Sequence, residues 1–252
     1  MSRKNKDRGA CVYCGQPATT DDHIPPQTIF GENKPKDMIE VPACKKCNNG
    51  ASQDDEYFRR LCLNLGTEGN QAAEEAQAAF FRSLERKEAK GMRRGFFQRL
   101  VPVEVKSGGG LFIGHTLGIR LEKNRLDKVF NRIIRGLFWR HQGQRLPDGY
   151  EAEWEVLPRH GLFTAALPSV YTATYQLLTT SPVNRVGDGS AFQYRYAMNP
   201  TDPNMMTVRM EFYQAIGFLG FTGKLEGGEI CVSMIVPKQS TPAGGNAPPG
   251  VV

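Results

Sequence analysis

Apolar residues follow a helical spacing in several segments of the first 150 residues. Between residues 125 and 141 they recur at i, i+3, i+4 and i+7, which is typical of an amphipathic helix whose apolar stripe joins the core. Weaker patterns of the same kind predict helices over residues 52–63 and 71–90. Residues 101–124 predict two short strands around the turn that the Ser-Gly-Gly-Gly sequence at residues 107–110 would form.

From residue 151 onward the apolar spacing changes to a period of two, which is the spacing of strands with one buried face. Strands are predicted over residues 151–157, 171–179, 192–198, 207–221 and 229–236. These patterns predict a mostly antiparallel sheet packed against the helix of residues 125–141. The fold class predicted for the chain is therefore α+β.

Length and composition divide the chain into three predicted parts. The 252 residues are 40% hydrophobic, which is enough for a sizeable core. A glycine-containing break at residues 66–70 sets a domain boundary, so the N-terminal module spans residues 1–65 and a C-terminal α+β domain of unassigned role spans residues 66–238. Residues 239–252 are rich in Pro and Gly, which predicts a disordered tail.

No targeting or membrane segment is predicted. The basic start of the chain is followed by no apolar run, as a signal peptide would require, and no run approaches the roughly 18 apolar residues of a membrane helix. We therefore expect a soluble, cytoplasmic protein without a membrane partner.

Two CxxC pairs predict a metal site in the N-terminal module. Cys11 and Cys14 form the first pair, and Cys44 and Cys47 form the second. Each such turn can direct two sulfur atoms at one ion, so four thiolates suit a structural zinc. A disulfide framework is less favoured because the chain has no secretion signal. A zinc module that binds a partner and cleaves nothing remains an alternative.

Three further residues in this segment point beyond a plain zinc module. Asp22 and His23 lie between the two pairs, and Asn48 directly follows the last cysteine. Together with the cysteines, these residues resemble the HNH (ββα-metal) endonucleases, and specifically their zinc-stapled four-cysteine subtype, to which endonuclease VII belongs. The resemblance covers residues 9–60. Where the family motif has its middle Asn, this chain has Ile39.

The resemblance implies a fold and an activity. It implies a zinc-stapled ββα-metal module in which Asp22 and His23 lie on a hairpin, and hydrolysis of DNA phosphodiester bonds to leave a 5′-phosphate. His23 would be the general base, while Asp22 and Asn48 would hold a catalytic Mg²⁺ or Mn²⁺. Double-stranded or branched DNA would be the substrate.

The chemistry of these residue types agrees with those roles. Phosphodiester hydrolysis needs an activated water and a cation on the phosphate. Adjacent strand residues face opposite sides, so Asp22 can turn to a cation while His23 faces the water. Histidine suits the base because the free side chain is mostly neutral at cellular pH. The carboxylate and the amide oxygen of Asn48 suit Mg²⁺ or Mn²⁺ better than a second zinc.

Charge extends the predicted contact with nucleic acid beyond the module. The net charge is +6 and the isoelectric point is about 9.0, which favours a polyanionic partner. The cations predicted to contact phosphates are Arg82, Arg86, Lys87, Lys90, Arg93 and Arg94. A solvated helix face is the alternative interpretation of this cluster.

Two other functions stay open at this point. One is a non-catalytic, zinc-dependent DNA-binding protein, and the other is an accessory protein of a phage or mobile element. A homodimer is also left open.

Overall fold

The structure is a computed structural model that describes residues 8–64, 69–86, 90–107, 110–157, 174, 178–226 and 229–231. The helices of this part are α1 (Lys45–Asn49), α2 (Ser52–Asn64), α3 (Gln71–Glu85), α4 (Lys90–Phe97) and α5 (Lys123–Gln142). The strands are β1 (Thr20–Ile24), β2 (Ile39–Ala43), β3 (Leu100–Lys106), β4 (Phe112–Ile119), β5 (Tyr150–Leu157), β6 (Asn184–Val186), β7 (Phe192–Met198), β8 (Met206–Phe212), β9 (Ile216–Glu226) and β10 (Glu229–Cys231). The predicted α+β class, with an N-terminal cysteine cluster and a C-terminal antiparallel sheet, is confirmed.

The first two strands form an antiparallel pair that carries the predicted site. Asp22 pairs with Val41, and Ile24 pairs with Ile39. Asp22 and Ile24 turn to the core, while His23 between them remains half-buried on the other side. The short helix α1 follows β2 after one residue, so the segment has two strands and then a helix.

The C-terminal sheet packs against α5, as the apolar patterns predicted. Strands β10, β9, β8, β7 and β6 lie in this order, β5 pairs with β9, and every pairing in the sheet is antiparallel. Helix α5 covers β5, where the ring of Phe130 stacks on Trp154 with centroids 4.4 Å apart. The Trp154 indole N–H also donates to Asp127 Oδ1 over 2.8 Å, which aligns the strand with the helix.

One predicted strand is two strands in the structure. The run at residues 207–221 is β8 and β9, joined by a tight turn at residues 213–215. Tyr213 and Gln214 have φ values of 52° and 55°, which is the left-handed backbone of a type I′ hairpin turn. The Tyr213 hydroxyl donates to the Ile29 carbonyl oxygen over 2.6 Å, which helps to hold this unusual backbone. The sequence lacks the Asn-Gly pair that usually marks such a turn.

Two other predicted elements differ in extent or type. The helix predicted over residues 71–90 ends at Glu85, because Arg86 has an extended backbone with ψ of 143°, and α4 begins at Lys90. In the strand predicted over residues 171–179, Thr174 and residues 178–179 are helical and the others lie outside the described residues. The predicted tail also lies outside them, as does the end of the last predicted strand.

A continuous core joins the N-terminal module to the rest of the chain. Phe58 of α2 meets Phe130 of α5 with ring centroids 5.2 Å apart, and it meets Phe212 of β8 at 4.9 Å. Buried residues from both sides of residue 66 belong to one cluster, so the predicted division there does not separate two cores. None of the described helices is long and apolar enough to cross a membrane.

Candidate functional site

The four cysteines of the two CxxC pairs come together at one end of the β1–β2 pair. Their sulfur atoms all lie within 4.8 Å of one another, and the Cys14 and Cys44 Sγ atoms are 3.7 Å apart. Tetrahedral zinc with Zn–S distances of about 2.3 Å requires sulfur atoms about 3.8 Å apart. The cluster therefore fits a metal ion such as zinc, as the spacing predicted.

Local backbone geometry explains why the two pairs converge. Gly15, with φ of 74°, lets the chain turn back after the first pair, and its N–H donates to the Cys11 carbonyl oxygen over 2.9 Å. Cys44 is the N-cap of α1, so the second pair opens a helix. The backbone N–H of Cys47 lowers the pKa of the Cys44 thiol to about 7, whereas burial and the neighbouring thiols raise the pKa of Cys47. Of this pair, only Cys44 is shifted toward the thiolate that a metal requires.

His23 lies on the outer side of β1, with its ring held by two side chains. Its side chain is 23% exposed, and the nearest Glu40 carboxylate oxygen lies 3.4 Å from Nε2. The amide nitrogen of Gln27 lies 2.8 Å from the ring nitrogens, and the Gln27 carbonyl oxygen accepts from Lys34 Nζ over 2.7 Å. Lys34 therefore fixes which end of the Gln27 amide faces His23, and the amide nitrogen is equally close to both nitrogens of the ring.

Asn48 fastens α1 to β1. Its Nδ2 donates to Thr20 Oγ1 over 3.1 Å and to the Asp21 carbonyl oxygen over 3.0 Å. The side-chain carbonyl oxygen of Asn48 has no hydrogen-bond donor within the described residues. Asn48 thus lies beside the strand that carries His23, with one oxygen atom available to a ligand.

Asp22 lies in a buried network of charged and polar groups. Its carboxylate accepts three hydrogen bonds from the Arg132 guanidinium, at 2.8, 3.0 and 3.2 Å, and one from the Tyr13 hydroxyl at 2.7 Å. Arg132 Nη1 also donates to Asp55 Oδ1 over 2.6 Å. Asp22, Asp55 and Arg132 are all less than 10% exposed. One cation of α5 therefore holds carboxylates from β1 and α2.

The pKa shifts in this network reflect two carboxylates that share one buried cation. Burial raises the pKa of Asp55 to about 6, although the charge of Arg132 opposes this shift. Burial by itself would lower the pKa of Arg132, but the charges of Asp22 and Asp55 outweigh it and the pKa is raised. Burial also raises the pKa of Tyr13, so its hydroxyl stays protonated as a donor to Asp22.

The predicted Mg²⁺ or Mn²⁺ site does not fit this arrangement. Both oxygens of Asp22 are occupied by donors, since Oδ1 also accepts from the His23 backbone N–H over 2.9 Å. A divalent cation at this carboxylate would also lie close to the Arg132 guanidinium and be repelled by it. Of the two predicted ligands, only Asn48 has an available oxygen.

The partners of Asp22 are residues that sequence reasoning missed. Arg132 is a cation on the amphipathic helix α5, yet it is only 9% exposed. Tyr13 occupies a spacer position of the first CxxC pair. Gly136, one turn after Arg132, offers the clearest signal, because a Cβ there would lie 2.5 Å from Ile24 Cγ1. The missing side chain lets β1 approach α5 closely enough for the ion pair.

Four of the six predicted phosphate-binding cations lie on α3 or α4, outside the cysteine cluster. Arg82 and Arg86 are exposed at the end of α3 and directly after it. Lys90, Arg93 and Arg94 are exposed on α4. Lys87 lies outside the described residues.

Comparison of the chain with known protein families, with curated proteins and with solved structures gave no match.

Proposed function

We propose that this protein is an endonuclease that hydrolyses phosphodiester bonds in DNA, with His23 as the general base and one zinc ion held by the four cysteines. The observation that carries the proposal is the position of His23. It is a partly exposed histidine on a strand that the cysteine cluster ties down, and its ring is oriented by Glu40 and Gln27.

His23 has the arrangement expected of a base with an orienting partner. With Nε2–H turned toward Glu40, the lone pair lies on Nδ1 and can accept a proton from water. The Gln27 amide nitrogen lies 2.8 Å from both ring nitrogens, so a water molecule can reach Nδ1 only after the Gln27 side chain moves.

The zinc ion would have a structural role in this proposal. Cys11 and Cys44 lie in separate segments, and a shared ion would fix β1 and α1 against each other. A catalytic Mg²⁺ or Mn²⁺ remains a prediction. The side-chain oxygen of Asn48 is available to such an ion, whereas the Asp22 carboxylate is occupied by Arg132. Hydrolysis would also need a cation on the phosphate, and the dependence of cleavage on Mg²⁺ or Mn²⁺ would identify it.

Cleavage by the zinc-loaded protein tests the proposal. Purified protein is incubated with plasmid, branched DNA and RNA, each with Mg²⁺, with Mn²⁺ and without either, and without a chelator that would remove zinc. We expect the wild type to cleave DNA and the His23→Ala variant to lose this cleavage. Asn33→Ala is the control, because Asn33 is an exposed residue of the same module and lies outside the candidate site.

A binding protein without catalysis is the second candidate. The observation that favours it is the occupation of Asp22 by Arg132, which removes one of the two predicted cation ligands. Retained DNA binding with no cleavage of any substrate under any of the ions would support this candidate and contradict the first.

A further inference from the structure

The β3–β4 hairpin is a two-stranded ribbon to which no third strand of the described residues is added. The strands pair with each other from Leu100 opposite Ile119 to Lys106 opposite Phe112. Seven residues of β3 correspond to a length of roughly 20 Å. An isolated hairpin of this kind is marginally stable in water, so its apolar side chains need another surface.

The distal end of the ribbon is apolar and exposed. Leu111, Phe112 and Ile113 are 73%, 50% and 65% exposed. The Ser107 N–H donates to the Leu111 carbonyl oxygen over 2.7 Å, and the Leu111 N–H donates to Ser107 Oγ over 3.1 Å. These bonds hold Leu111 beside Ser107 at the start of β4, and we call residues 111–113 the tip.

The net positive charge of the sequence is concentrated in the segment that contains this ribbon. Residues 82–125 contain eleven Lys and Arg and four Asp and Glu, in a chain whose totals are 32 and 26. This segment therefore carries a net charge of +7, while the remaining 21 cations and 22 anions give −1. The basic helix α4 ends three residues before β3 begins, so its exposed cations lie at the base of the ribbon.

We propose that the β3–β4 hairpin is an arm that enters a groove of duplex DNA, with Phe112 and Ile113 of the tip pressed against the bases and the cations of α4 on the flanking phosphates. A two-stranded ribbon fits the major groove, where an apolar side chain such as Phe can contact the methyl group of thymine. The choice of DNA rests on the proposed function, but the arm would bind without cleavage.

Charge favours DNA over a second copy of this chain as the occupant. Two copies that met through their ribbons would bring two segments of net charge +7 together. A phosphate backbone is complementary to the same charge and releases counterions when it is neutralised. The apolar tip would then contact the bases of the duplex, and the cations of α4 would contact its phosphates.

The two kinds of contact can be separated by their salt dependence. Affinity for a labelled duplex is measured by anisotropy over a range of salt concentrations, with zinc-loaded protein and no added Mg²⁺ or Mn²⁺. The double variant Phe112→Ser/Ile113→Ser should weaken binding about tenfold or more at every salt concentration with an unchanged log–log slope, because apolar contacts release no counterions. Arg93→Gln/Arg94→Gln should lower the slope by up to about 1.8.

Phe81→Ser is the matched control, since Phe81 is 44% exposed on α3 and lies outside the ribbon. The Phe81→Ser variant should bind the duplex as tightly as the wild type. A tip variant that binds duplex as tightly as the wild type overturns the proposal. The proposal is also overturned if sedimentation shows that the wild type is a dimer, that the tip variant is not, and that the tip variant keeps its DNA affinity. As a second measurement, the fluorescence of Phe112→Trp should change when duplex is added, and an unchanged spectrum would count against the arm.

Discussion

Arg132 is the residue whose removal should cost the most stability in the candidate site. Arg132→Met keeps a long apolar stem and removes the charge, so two buried carboxylates lose their shared cation. Arg132 donates three hydrogen bonds to Asp22 and one to Asp55, all at 3.2 Å or less. Removing one partner of a buried ion pair typically costs about 3–5 kcal/mol. This is a large part of the roughly 5–15 kcal/mol of a typical domain.

The change is measured by urea unfolding of the zinc-loaded protein at pH 7. Lys128→Met is the matched control on the same helix, because the Lys128 side chain is 68% exposed and lies 3.7 Å from Asp54. An exposed pair of this kind contributes about 0–1 kcal/mol. Arg132→Lys should fall between the two, since a single ammonium group keeps the charge but cannot serve both carboxylates with a planar fork.

A double-mutant cycle shows whether the loss comes from the contact with Asp22. Asp22→Asn should destabilise the wild type far more than it destabilises Arg132→Met, with a coupling of roughly 1–3 kcal/mol. A loss below about 1 kcal/mol in Arg132→Met would refute the reasoning. It would mean that the Asp22 carboxylate does not depend on Arg132 and is available to a cation.

Three further outcomes follow from the same geometry. Gly136→Ala should destabilise the protein by about 1–3 kcal/mol or more in thermal or urea unfolding, because the new Cβ would overlap Ile24, whereas Gly95→Ala on α4 has open space and should be neutral or stabilising. Burial raises the pKa of Asp55 to about 6, so the folded state binds more protons than the unfolded state between about pH 4 and pH 6. Unfolding at several pH values should therefore show the wild type losing stability as the pH rises across this window, relative to Asp55→Asn, and parallel curves would contradict the shift. Cys44→Ser should remove the zinc measured by elemental analysis and unfold the β1–β2 pair, because metal binding and local folding are coupled.

The parts of the fold that repeat a regular period were predictable. The strand at residues 192–198 has the predicted bounds because its side chains alternate between the core and the surface. The helix predicted over residues 125–141 is observed as α5 for the same kind of reason. The turn at Tyr213 was missed because no sequence signal marks its left-handed backbone.

The candidate site was predictable only in part, because its partners are distant in the sequence. The four cysteines were found from their spacing, since a CxxC turn is local. Arg132 is 110 residues from Asp22, and no periodic pattern links a buried cation on one helix to a carboxylate on a remote strand. Asp22 was therefore predicted to bind a metal cation, because the sequence does not show that Arg132 occupies its carboxylate.

The single-turnover rate of DNA cleavage by His23→Ala tests the central proposal most directly. The protein is in excess over a labelled duplex, and both forms must contain one zinc per chain and bind the duplex equally. General-base catalysis contributes about 10²–10⁴-fold, so we predict a rate lower than that of the wild type by this factor. A wild type and a His23→Ala variant that cleave at the same rate would contradict the assignment of His23 as the base.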